Sequence, residues 1–356
     1  MTLQTPQKNI LVAPLNWGLG HATRCIPIIR ALEQNGFTPI LASDGIALEM
    51  LRKEFPHLIA LELPSYEITY AKKGSNFKWK MLKNMPTMIE AVLDEKKRIK
   101  EWVKTYDLVG IISDNRLGVF SKKIQSVFIT HQLNVITGNT TWISSKLHQQ
   151  VIKKFDECWV PDFEEKPNLS GKLGHLKNPD SHIKYIGPLS RFEKKDLPKK
   201  YDLMVILSGP EPQRTFLEDH LTETLPEFKG KIVFIKGKIE AEQQTAQSEN
   251  ITFYNFMTSE QLEQTFNESA AVLCRSGYTT IMDLAKLGKK AFFIPTPGQY
   301  EQEYLAKKLK RDGLVPYISQ EEFHVGNLLQ IDLFKGLQMA ESRIHWKNLF
   351  CLFERK

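Results

Sequence analysis

The sequence lacks any apolar run that approaches the ~20 residues of a membrane-spanning helix. Its beginning, MTLQTPQKN, has neither the basic nor the apolar segment of a secretory signal peptide, which predicts a cytoplasmic protein. It has only four cysteines, and no two of them form a C-x-x-C pair. Such scattered cysteines are typical of a reducing compartment and argue against a zinc site.

Motifs for three other ligand classes are also missing. Thr23 stands where the third glycine of a G-x-G-x-x-G turn would follow Gly18 and Gly20, so dinucleotide binding is disfavoured. The chain has no Asp-x-Asp pair, and the sequence therefore requires no metal and no cofactor. Its lysines are dispersed and no recognition motif for nucleic acid is evident, which argues against a nucleic-acid partner.

The composition is that of a globular protein with room for two domains of ordinary size. The chain has 356 residues, of which 42% are hydrophobic and 25% are charged. Its net charge of +7 favours anionic partners, such as nucleotide phosphates or an acidic membrane surface.

Short apolar runs alternate with helical patterns along most of the chain, which predicts an α/β fold with parallel sheets. The polar connection 188–200, which contains Pro188 and Pro198, is the best candidate for a linker between domains. We therefore predict one domain over 1–187 and a second over 201–336. Within the final segment, 337–356, the stretch 337–353 is helical and aromatic in pattern.

The most informative stretch is 270–303, in which two strands and two helices alternate. We predict strands at 271–274 and 291–294 and helices that begin near Thr279 and Tyr300. Ligands of parallel sheets bind beyond the carboxyl ends of the strands, and polar residues follow both of these strands directly. They are Arg275, Ser276 and Gly277 after the first strand, and Gln299, Gln302 and Glu303 after the second.

These residue types suit a nucleotide sugar. A helix that starts after a Ser-Gly turn offers its N–H groups and its positive dipole end to a phosphate. Asp283, farther along that helix, carries a carboxylate that can accept hydrogen bonds from ribose hydroxyls. Gln302 and Glu303 can hold sugar hydroxyls. The alternative is an ordinary βαβ unit whose loop charges are solvated.

A glycine-containing turn follows the first predicted strand, 9–15, and leads into a helix over 22–34. Its glycines, Gly18 and Gly20, permit a tight turn and a close approach of the backbone to a ligand. His21 lies at the N-terminal end of the helix, whose dipole disfavours a cationic ring. A neutral imidazole there could take the proton of an attacking hydroxyl. The alternative is a His that only caps the helix.

Two further polar clusters follow predicted strands of the first domain, at the sheet edge that carries His21. Asp114 follows the strand 107–113 and is the rival candidate for the base. Candidate contacts to the acceptor follow the strand 126–130, namely His131, Gln132 and Asn134. Each of these side chains could equally cap a loop.

The second domain contains CRSG, then a carboxylate eight residues after the Arg, then P-x-P-G-Q-x-E-Q-E. This combination resembles the donor-binding half of glycosyltransferase family 28, which includes the peptidoglycan N-acetylglucosaminyltransferases and the plant galactolipid synthases. The resemblance implies the GT-B fold, with two Rossmann-like domains that face each other across a cleft. It also implies that the C-terminal segment 337–356 packs back on the first domain.

The resemblance also assigns roles in the donor site. It implies that Arg275, Ser276 and Gly277 lie at the donor phosphates, and that Asp283 binds the ribose. The Gln pair that binds the donor sugar in the family corresponds to Gln302 and Glu303. Two departures stand out, because the ribose residue is usually Glu and the second sugar residue is usually Gln. The second departure leaves the identity of the sugar open.

Three other parts of the sequence match the family. The turn that ends in His21 resembles the glycine-rich loop that faces the acceptor and the reacting sugar. Ser208 and Gly209 resemble a second glycine-containing loop near the diphosphate, and Arg214, shortly after them, could pair with phosphate. Phe256 precedes a capping-box pattern, at the position that holds the uracil ring in the family.

The predicted reaction is an inverting, metal-independent transfer of a sugar, N-acetylglucosamine or another hexose, from a UDP-sugar to a hydroxyl acceptor. The sequence leaves the acceptor open, and a lipid-linked one is included. Residues 72–85 alternate basic and large apolar residues, which suits contact with an anionic membrane at its inner face. The alternatives for this stretch are an acceptor-site lid or a solvated loop.

Two other functions remain open on the same architecture. A nucleotide-sugar epimerase would need several carboxylates around the sugar, and only Asp114 and Glu303 are candidates. A non-catalytic nucleotide-sugar-binding protein would keep Arg275 and Asp283 but would not need a base such as His21.

Overall fold

The computed structural model describes residues 7–66, 77–135, 141–238, 240–337 and 344–354, with the backbone alone for 77–85 and 141–144. The chain divides into two compact units, one made of 1–69, 78–189 and 342–356 and the other of 70–77 and 190–341. Over the described ranges, no helix is both long enough and apolar enough to cross a membrane.

The first unit is built on a sheet of seven strands. They are β1 (Asn9–Pro14), β2 (Thr38–Ser43), β3 (Ala60–Glu62), β4 (Leu108–Asp114), β5 (Gln125–Ile129), β6 (Glu157–Val160) and β7 (Ile183–Tyr185). Their order is β3-β2-β1-β4-β5-β6-β7, and every pair of neighbours is parallel. The connecting helices are α1 (Leu19–Gln34), α2 (Gly45–Glu54), α3 (Phe77–Thr105) and α4 (Thr141–Ile152).

The second unit has a sheet of six strands. They are β8 (Tyr201–Ile206), β9 (Ile232–Ile235), β10 (Thr245–Ser248), β11 (Ile251–Tyr254), β12 (Ser269–Cys274) and β13 (Lys290–Phe293). Their order is β10-β11-β9-β8-β12-β13, and all neighbours are parallel except the antiparallel pair β10 and β11. The helices are α5 (Gln213–Thr224), α6 (Ser259–Glu268), α7 (Tyr278–Leu287) and α8 (Tyr300–Arg311), with a 3₁₀ stretch at Val325–Leu333.

The central strands are apolar on both faces because helices cover both sides of a parallel sheet. In β1, the four residues from Ile10 to Ala13 are fully buried. The corresponding residues of β8, Leu203 to Val205, are buried in the second unit. The predicted α/β class, with a parallel sheet in each half of the chain, is confirmed.

Each sheet has one place where the strand order reverses. In the first sheet the chain runs from β1 outward to β3 and then returns to place β4 on the other side of β1. In the second sheet the same reversal falls between β8 and β12. The loops that follow these two strand pairs separate there, which opens a crevice where ligands of such sheets bind. His21 follows β1, Asp114 ends β4, and Arg275 follows β12.

The structure corrects two predictions for the stretches between strands. A loop is one alternative given above for 72–85, and a proline such as Pro86 is typical of a helix start, but α3 begins at Phe77 and carries Pro86 inside it. Proline is costly inside a helix because it removes one backbone hydrogen bond, but a long helix can tolerate that loss. The sequence pattern also missed β10, since its four residues are polar and exposed and have no apolar alternation.

Among the described residues of the C-terminal segment, 337 and 344–354, the α-helix covers 346–350, less than the helix that the sequence predicts. Leu337 lies in a bend rather than in a helix, and its N–H donates to the Lys289 carbonyl. The helix α9 (Trp346–Phe350) is short and ends in a 3₁₀ turn. Phe350 and Phe353 lie against the Phe37 ring, with ring centroids 5.7 and 6.4 Å away, and against Trp159. These aromatic contacts hold the end of the chain on the first unit, around the far end of α1.

Candidate active site

The turn between β1 and α1 places His21 at the end of the first sheet. Gly18 precedes the helix with φ of 74°, a left-handed conformation that favours glycine, and no atom would lie within 4 Å of a Cβ there. Gly20 lies within the first turn of α1, so the tight turn depends on Gly18. His21 is the third residue of α1, and its side chain is 14% exposed.

A second tight turn fixes Asp114. The Leu15 N–H donates to the Asp114 carbonyl at 2.9 Å, so β1 and β4 stay paired up to the site. Asn115 then takes φ of 59°, a left-handed conformation that Asn tolerates better than most residues. The chain turns away immediately after the carboxylate, which leaves the Asp114 side chain between the two strand ends.

Asp114 holds three side chains of α1 around its carboxylate. His21 Nδ1 lies 2.9 Å from Oδ1, and the Arg24 guanidinium forms a fork in which Nε donates to Oδ2 at 2.5 Å and the terminal NH2 donates to Oδ1. The Cys25 thiol lies 3.8 Å from Oδ2. Arg24 is 2% exposed and Asp114 is fully buried, so this ion pair is shielded from water.

The protonation states in this cluster follow from burial and from the two charges. Burial alone would raise the pKa of Asp114, but Arg24 and His21 together hold it well below its usual range. The pKa of His21 is lowered, first by burial and then by the charge of Arg24, and Asp114 offsets this only in part. Asp114 is therefore ionised and His21 is neutral near pH 7, which agrees with the predicted neutral imidazole.

The loop after β5 brings one predicted residue to this cluster. His131 is buried, and its Nδ1 lies 3.3 Å from a terminal nitrogen of Arg24. Asn134 instead donates to the carbonyl of Lys172 at 2.7 Å, so its amide ties two loops together. The Gln132 N–H donates to the Thr130 hydroxyl. His131 thus joins the His21 cluster through its contact with Arg24.

The corresponding place in the second unit lies at the ends of β8 and β12. Ser208 and Gly209 are exposed after β8, and Gly209 has φ of 106°. Gly277 is the N-cap of α7, and a Cβ added there would meet no atom within 4 Å. The Ser276 hydroxyl is buried and donates to the Gln302 carbonyl at 2.8 Å. The turn therefore presents the N-terminus of α7 to a ligand, with open space beside Gly277.

Arg275 lies in the predicted turn, but its guanidinium donates hydrogen bonds to other groups of the protein. One terminal nitrogen donates to the carbonyls of Ile294 and Pro295, both at 3.1 Å. The other donates to the Gln213 carbonyl and to Gln320 Oε1 at 2.9 and 2.7 Å. The side chain is 1% exposed, and burial lowers its pKa to about 10. In this arrangement Arg275 ties the loops around α7 together.

Arg214 is also engaged within its own loop. It donates to Glu211 and Glu218 and to the Lys236 carbonyl. Glu211 thus pairs with Arg214 and accepts a hydrogen bond from the Thr215 hydroxyl, which accounts for an acid in a loop predicted to approach phosphate. The guanidinium that we expected at the phosphate is neutralised by two carboxylates.

Asp283 lies partly buried on α7. The Ser190 hydroxyl donates to its carboxylate at 2.6 Å, and Arg191 lies close enough to act electrostatically. Burial is the larger effect and raises the pKa of Asp283 to about 6. The predicted role at the ribose remains a prediction.

The loop between β13 and α8 is ordered by the predicted sugar-binding residues. Gln302 accepts from the Thr296 N–H at 2.8 Å and donates to Gln299 Oε1 at 2.7 Å. Glu303 is exposed and accepts from the Gly298 N–H at 2.9 Å. Thr296 is buried, and its hydroxyl has no partner among the described residues. These contacts bring Gln299, Gln302 and Glu303 together on one loop.

Phe256 lies half-buried at the start of α6. Its N–H donates to Asn255 Oδ1, and its carbonyl accepts from Gln243. The capping box that the sequence predicts after it is confirmed, since Thr258 and Gln261 bond reciprocally. Its uracil contact remains a prediction.

Arg24 was not among the site residues predicted from the sequence. The signal was present, because His21 and Arg24 are three residues apart and therefore lie on the same face of a helix. The predicted membrane segment, 72–85, lies outside the residues whose side chains the structure describes.

The first unit also contains a cavity of about 300 Å³, lined by residues that include Asp162, Tyr185 and His345. None of the predicted site residues lines it, and Asp162 is occupied by the backbone N–H groups of Leu169 and Ser170. This cavity therefore adds nothing to the chemistry described above.

Comparison with known proteins extends the resemblance. Residues 213–343 match the glycosyltransferase family 28 C-terminal domain. A UDP-N-acetylglucosamine–N-acetylmuramyl-(pentapeptide) pyrophosphoryl-undecaprenol N-acetylglucosamine transferase of Haemophilus ducreyi is 24% identical over 258 residues, which are 69% of this chain and 68% of the relative.

Solved structures share the fold over nearly the whole chain. The crystal structure of Acinetobacter baumannii MurG aligns with a TM-score of 0.59 and 15% identity, over 98% of this chain and 99% of that one. A putative UDP-N-acetylglucosamine 2-epimerase of Listeria monocytogenes aligns with a TM-score of 0.62 and 12% identity, over 94% and 92%. Together with the family match, these similarities identify the chain as a glycosyltransferase of the GT-B fold whose second unit carries a C-terminal domain of the family 28 type.

Proposed function

We propose that this protein transfers a hexose, with N-acetylglucosamine as the first candidate, from a UDP-sugar to a hydroxyl acceptor. The observation that carries the proposal is the contact between His21 and the ionised Asp114, at the point where the strand order of the first sheet reverses. A neutral His against a buried carboxylate is a pair suited to accept a proton. The donor follows from the name of the curated relative and from the family 28 match.

The proposed donor site lies around the N-terminus of α7. The diphosphate would meet the Ser276-Gly277 turn, where the helix dipole favours negative charge and no side chain fills the space beside Gly277. The loop at Ser208 and Gly209 would cover it from the neighbouring strand β8. Asp283 would hold the ribose, and Gln302 and Glu303 would hold the sugar. Glu303 stands where the family usually has Gln, so a hexose other than N-acetylglucosamine stays within the proposal.

The proposed reaction is a single displacement. The acceptor hydroxyl loses its proton to His21, its oxygen forms a bond to the anomeric carbon, and the bond from that carbon to UDP breaks. UDP leaves with the electron pair and is stabilised by preorganised protein groups, with no divalent cation in the proposed mechanism. One displacement inverts the anomeric configuration. Asp114 keeps its charge throughout and orients the His21 ring.

The epimerase alternative is not decided by the fold, since a putative epimerase aligns with this chain as well as a transferase does. The placement of the carboxylates favours transfer. Asp114 is fully engaged by His21 and Arg24, and Glu303 is held by the Gly298 N–H. A binding protein without chemistry would have no need for a buried ion pair that holds a neutral His.

The experiment that tests the proposal is a screen of nucleotide sugars, with product analysis both without and with hydroxyl acceptors and in the presence of EDTA. We expect release of UDP from one UDP-sugar, faster with an acceptor, and undiminished by EDTA. An epimerised nucleotide sugar in the absence of any acceptor would show instead that the protein is an epimerase. Loss of turnover on chelation, restored by magnesium, would contradict the metal-independent mechanism.

We further propose a lipid-linked acceptor and a location at the inner face of the membrane. The curated relative is named for a pyrophosphoryl-undecaprenol acceptor, and α3 exposes Ile89 and Leu93, which are one helical turn apart, near Lys97 and Lys100. An exposed apolar pair followed by basic residues on the same helix suits an anionic bilayer. We expect the protein to sediment with vesicles that contain anionic lipid, and the variant Ile89→Ser with Leu93→Ser to sediment less. Equal recovery with neutral vesicles would contradict this location.

Replacement of His21 by Ala separates catalysis from binding. If His21 is the base, the His21→Ala variant should lose transfer by ~10²–10⁴-fold and keep its affinity for the UDP-sugar. Asp114→Asn is the matched variant, because it keeps the shape of the side chain and removes the charge. Calorimetry with the UDP-sugar and initial rates measure the two effects. A loss of affinity as large as the loss of rate would assign His21 to substrate binding.

Replacement of Arg275 tests its role as a tie between loops. The Arg275→Ala variant removes the hydrogen bonds that the guanidinium donates to the carbonyls of Gln213, Ile294 and Pro295, and we expect a loss of stability of about 3 kcal/mol. Affinity for the UDP-sugar should fall as well, because these loops surround α7. Gln320→Ala is the control, since it removes one partner and leaves the guanidinium on three carbonyls. Urea denaturation measures stability, and wild-type stability in Arg275→Ala would contradict this role.

A further inference from the structure

Arg24 occupies the centre of the cluster around His21 and Asp114. Its Nε and one terminal nitrogen form the fork on the Asp114 carboxylate, and that terminal nitrogen also lies 2.7 Å from His21 Nδ1. The other terminal nitrogen lies 3.3 Å from His131 Nδ1. One buried guanidinium therefore contacts a carboxylate and two imidazoles.

The hydrogen-bonding capacity of these groups limits how the protons can be arranged. A guanidinium only donates and stays charged in proteins, and an ionised carboxylate only accepts. His21 Nδ1 faces both, since it lies 2.9 Å from Asp114 Oδ1 and 2.7 Å from Arg24. If Nδ1 carries the proton, it donates to Asp114 and leaves Nε2 as a base. If Nδ1 accepts from Arg24, the proton sits on Nε2 and the ring cannot act as a base. The proposed reaction uses the first arrangement, in which Nδ1 donates to Asp114.

The charge of Asp114 would act differently without Arg24. In a pair of His and Asp alone, the carboxylate stabilises the protonated ring and raises its affinity for a proton at rest. Here Arg24 already balances the carboxylate through two hydrogen bonds. A second proton on His21 would leave the cluster with a net positive charge in a buried place. The charged and titratable groups that act on His21 are Arg24 of α1, Asp114 of β4 and His131 after β5.

The direction of the His21 shift agrees with this charge balance. The pKa of His21 is lowered, with Arg24 as the second cause after burial. A fixed cation 2.7 Å from the ring therefore opposes a second proton on His21.

We propose that Arg24 is a positioning residue for the transfer reaction. Its fixed charge keeps the His21 ring neutral, and its two hydrogen bonds to Asp114 set the orientation of His21 and Asp114. This proposal rests on the proposed function, because His21 is the base only if the protein transfers a sugar. Arg24 contacts His21 and Asp114 directly, and its proposed effect on the reaction is exerted through these two groups. Its effect is to keep the base available when the pH falls below the ordinary histidine range.

The direct test is the titration of the His21 ring by NMR, with the signal assigned by comparison with His21→Ala. In the wild-type protein the ring should titrate below the ordinary histidine pKa of ~6.5. In Arg24→Gln the ring should titrate at higher pH than in the wild type, because Asp114 is then unbalanced. Arg24→Lys keeps the charge and loses the fork, so its titration should stay closer to that of the wild type. Arg30→Gln is the control on the same helix, since Arg30 is exposed and pairs with Glu54.

Two results would overturn the proposal. One is a wild-type His21 ring that titrates at or above the ordinary value, a result that requires no variant to fold. The other is a folded Arg24→Gln protein whose His21 titration equals that of the wild type. These measurements use no substrate, so they stand even where the screen of nucleotide sugars finds no transfer, which would contradict the proposed function alone.

The pH dependence of transfer gives the second readout. The acid limb of kcat/KM reports protonation of the free base, so Arg24→Gln should lose more activity at pH 5.5 than at pH 8, relative to the wild type. Arg30→Gln should follow the wild-type profile. If Arg24 only stabilised the fold, its replacement would lower activity by the same factor at every pH. A pH profile of Arg24→Gln that runs parallel to the wild-type profile would therefore contradict the proposal.

Discussion

The ion pair between Arg24 and Asp114 is the interaction on which the first unit's site depends. Both side chains are shielded from water, and the desolvation cost of such a pair is offset only when the geometry is good and the remaining hydrogen-bonding positions are filled. Here the fork fills both carboxylate oxygens, and His21, Cys25 and Asn115 lie around them. The pair links α1 to the end of β4, so the orientation of His21 relative to the sheet follows from it.

Buried arginines solve the same structural problem in both units. Where the strand order of a parallel sheet reverses, the loops separate and leave carbonyls without partners from the ladder. Arg116 donates to the carbonyls of Pro14 and Pro64 and to Glu95 in the first unit. Arg275 donates to three carbonyls in the second. A guanidinium has five donors in a fixed plane, which suits it to hold several loops at once. A lysine at either position could not replace these contacts with one ammonium group.

The sequence predicted the fold well because burial leaves a strong signal in a parallel sheet. The predicted strands 9–15, 107–113 and 126–130 agree with β1, β4 and β5 to within one residue at each end, since short apolar runs between turn residues mark them clearly. The pattern failed where tertiary contacts decide. Pro86 marks a helix start in isolation, yet α3 continues through it. The strand β10 is polar and exposed and exists only because β11 pairs with it.

In the candidate site too, the sequence pattern predicts less well where tertiary contacts decide. Spacing along the chain predicted that His21 and Asp114 share an edge, and the structure brings them to 2.9 Å. The spacing could not predict which hydrogen-bond donors are already engaged by other groups of the protein. Arg275 and Arg214 were expected at phosphate, but carbonyls and carboxylates of the protein occupy their guanidinium groups. Whether an arginine is open to a ligand depends on partners that are distant in sequence, such as Gln213 and Gln320 around Arg275.

The arrangement of charge also explains why each half of the proposed reaction suits its own unit. At rest, Arg24 and Asp114 balance each other and His21 is neutral, so the cluster carries no net charge before the proton arrives. The departing diphosphate gains negative charge, and the helix N-terminus at Gly277 offers a positive dipole end to it. In both places the polar groups are fixed by the fold before the reaction begins. Such preorganised groups stabilise developing charge without the reorganisation that water would need, which is the largest electrostatic advantage a protein can give to group transfer.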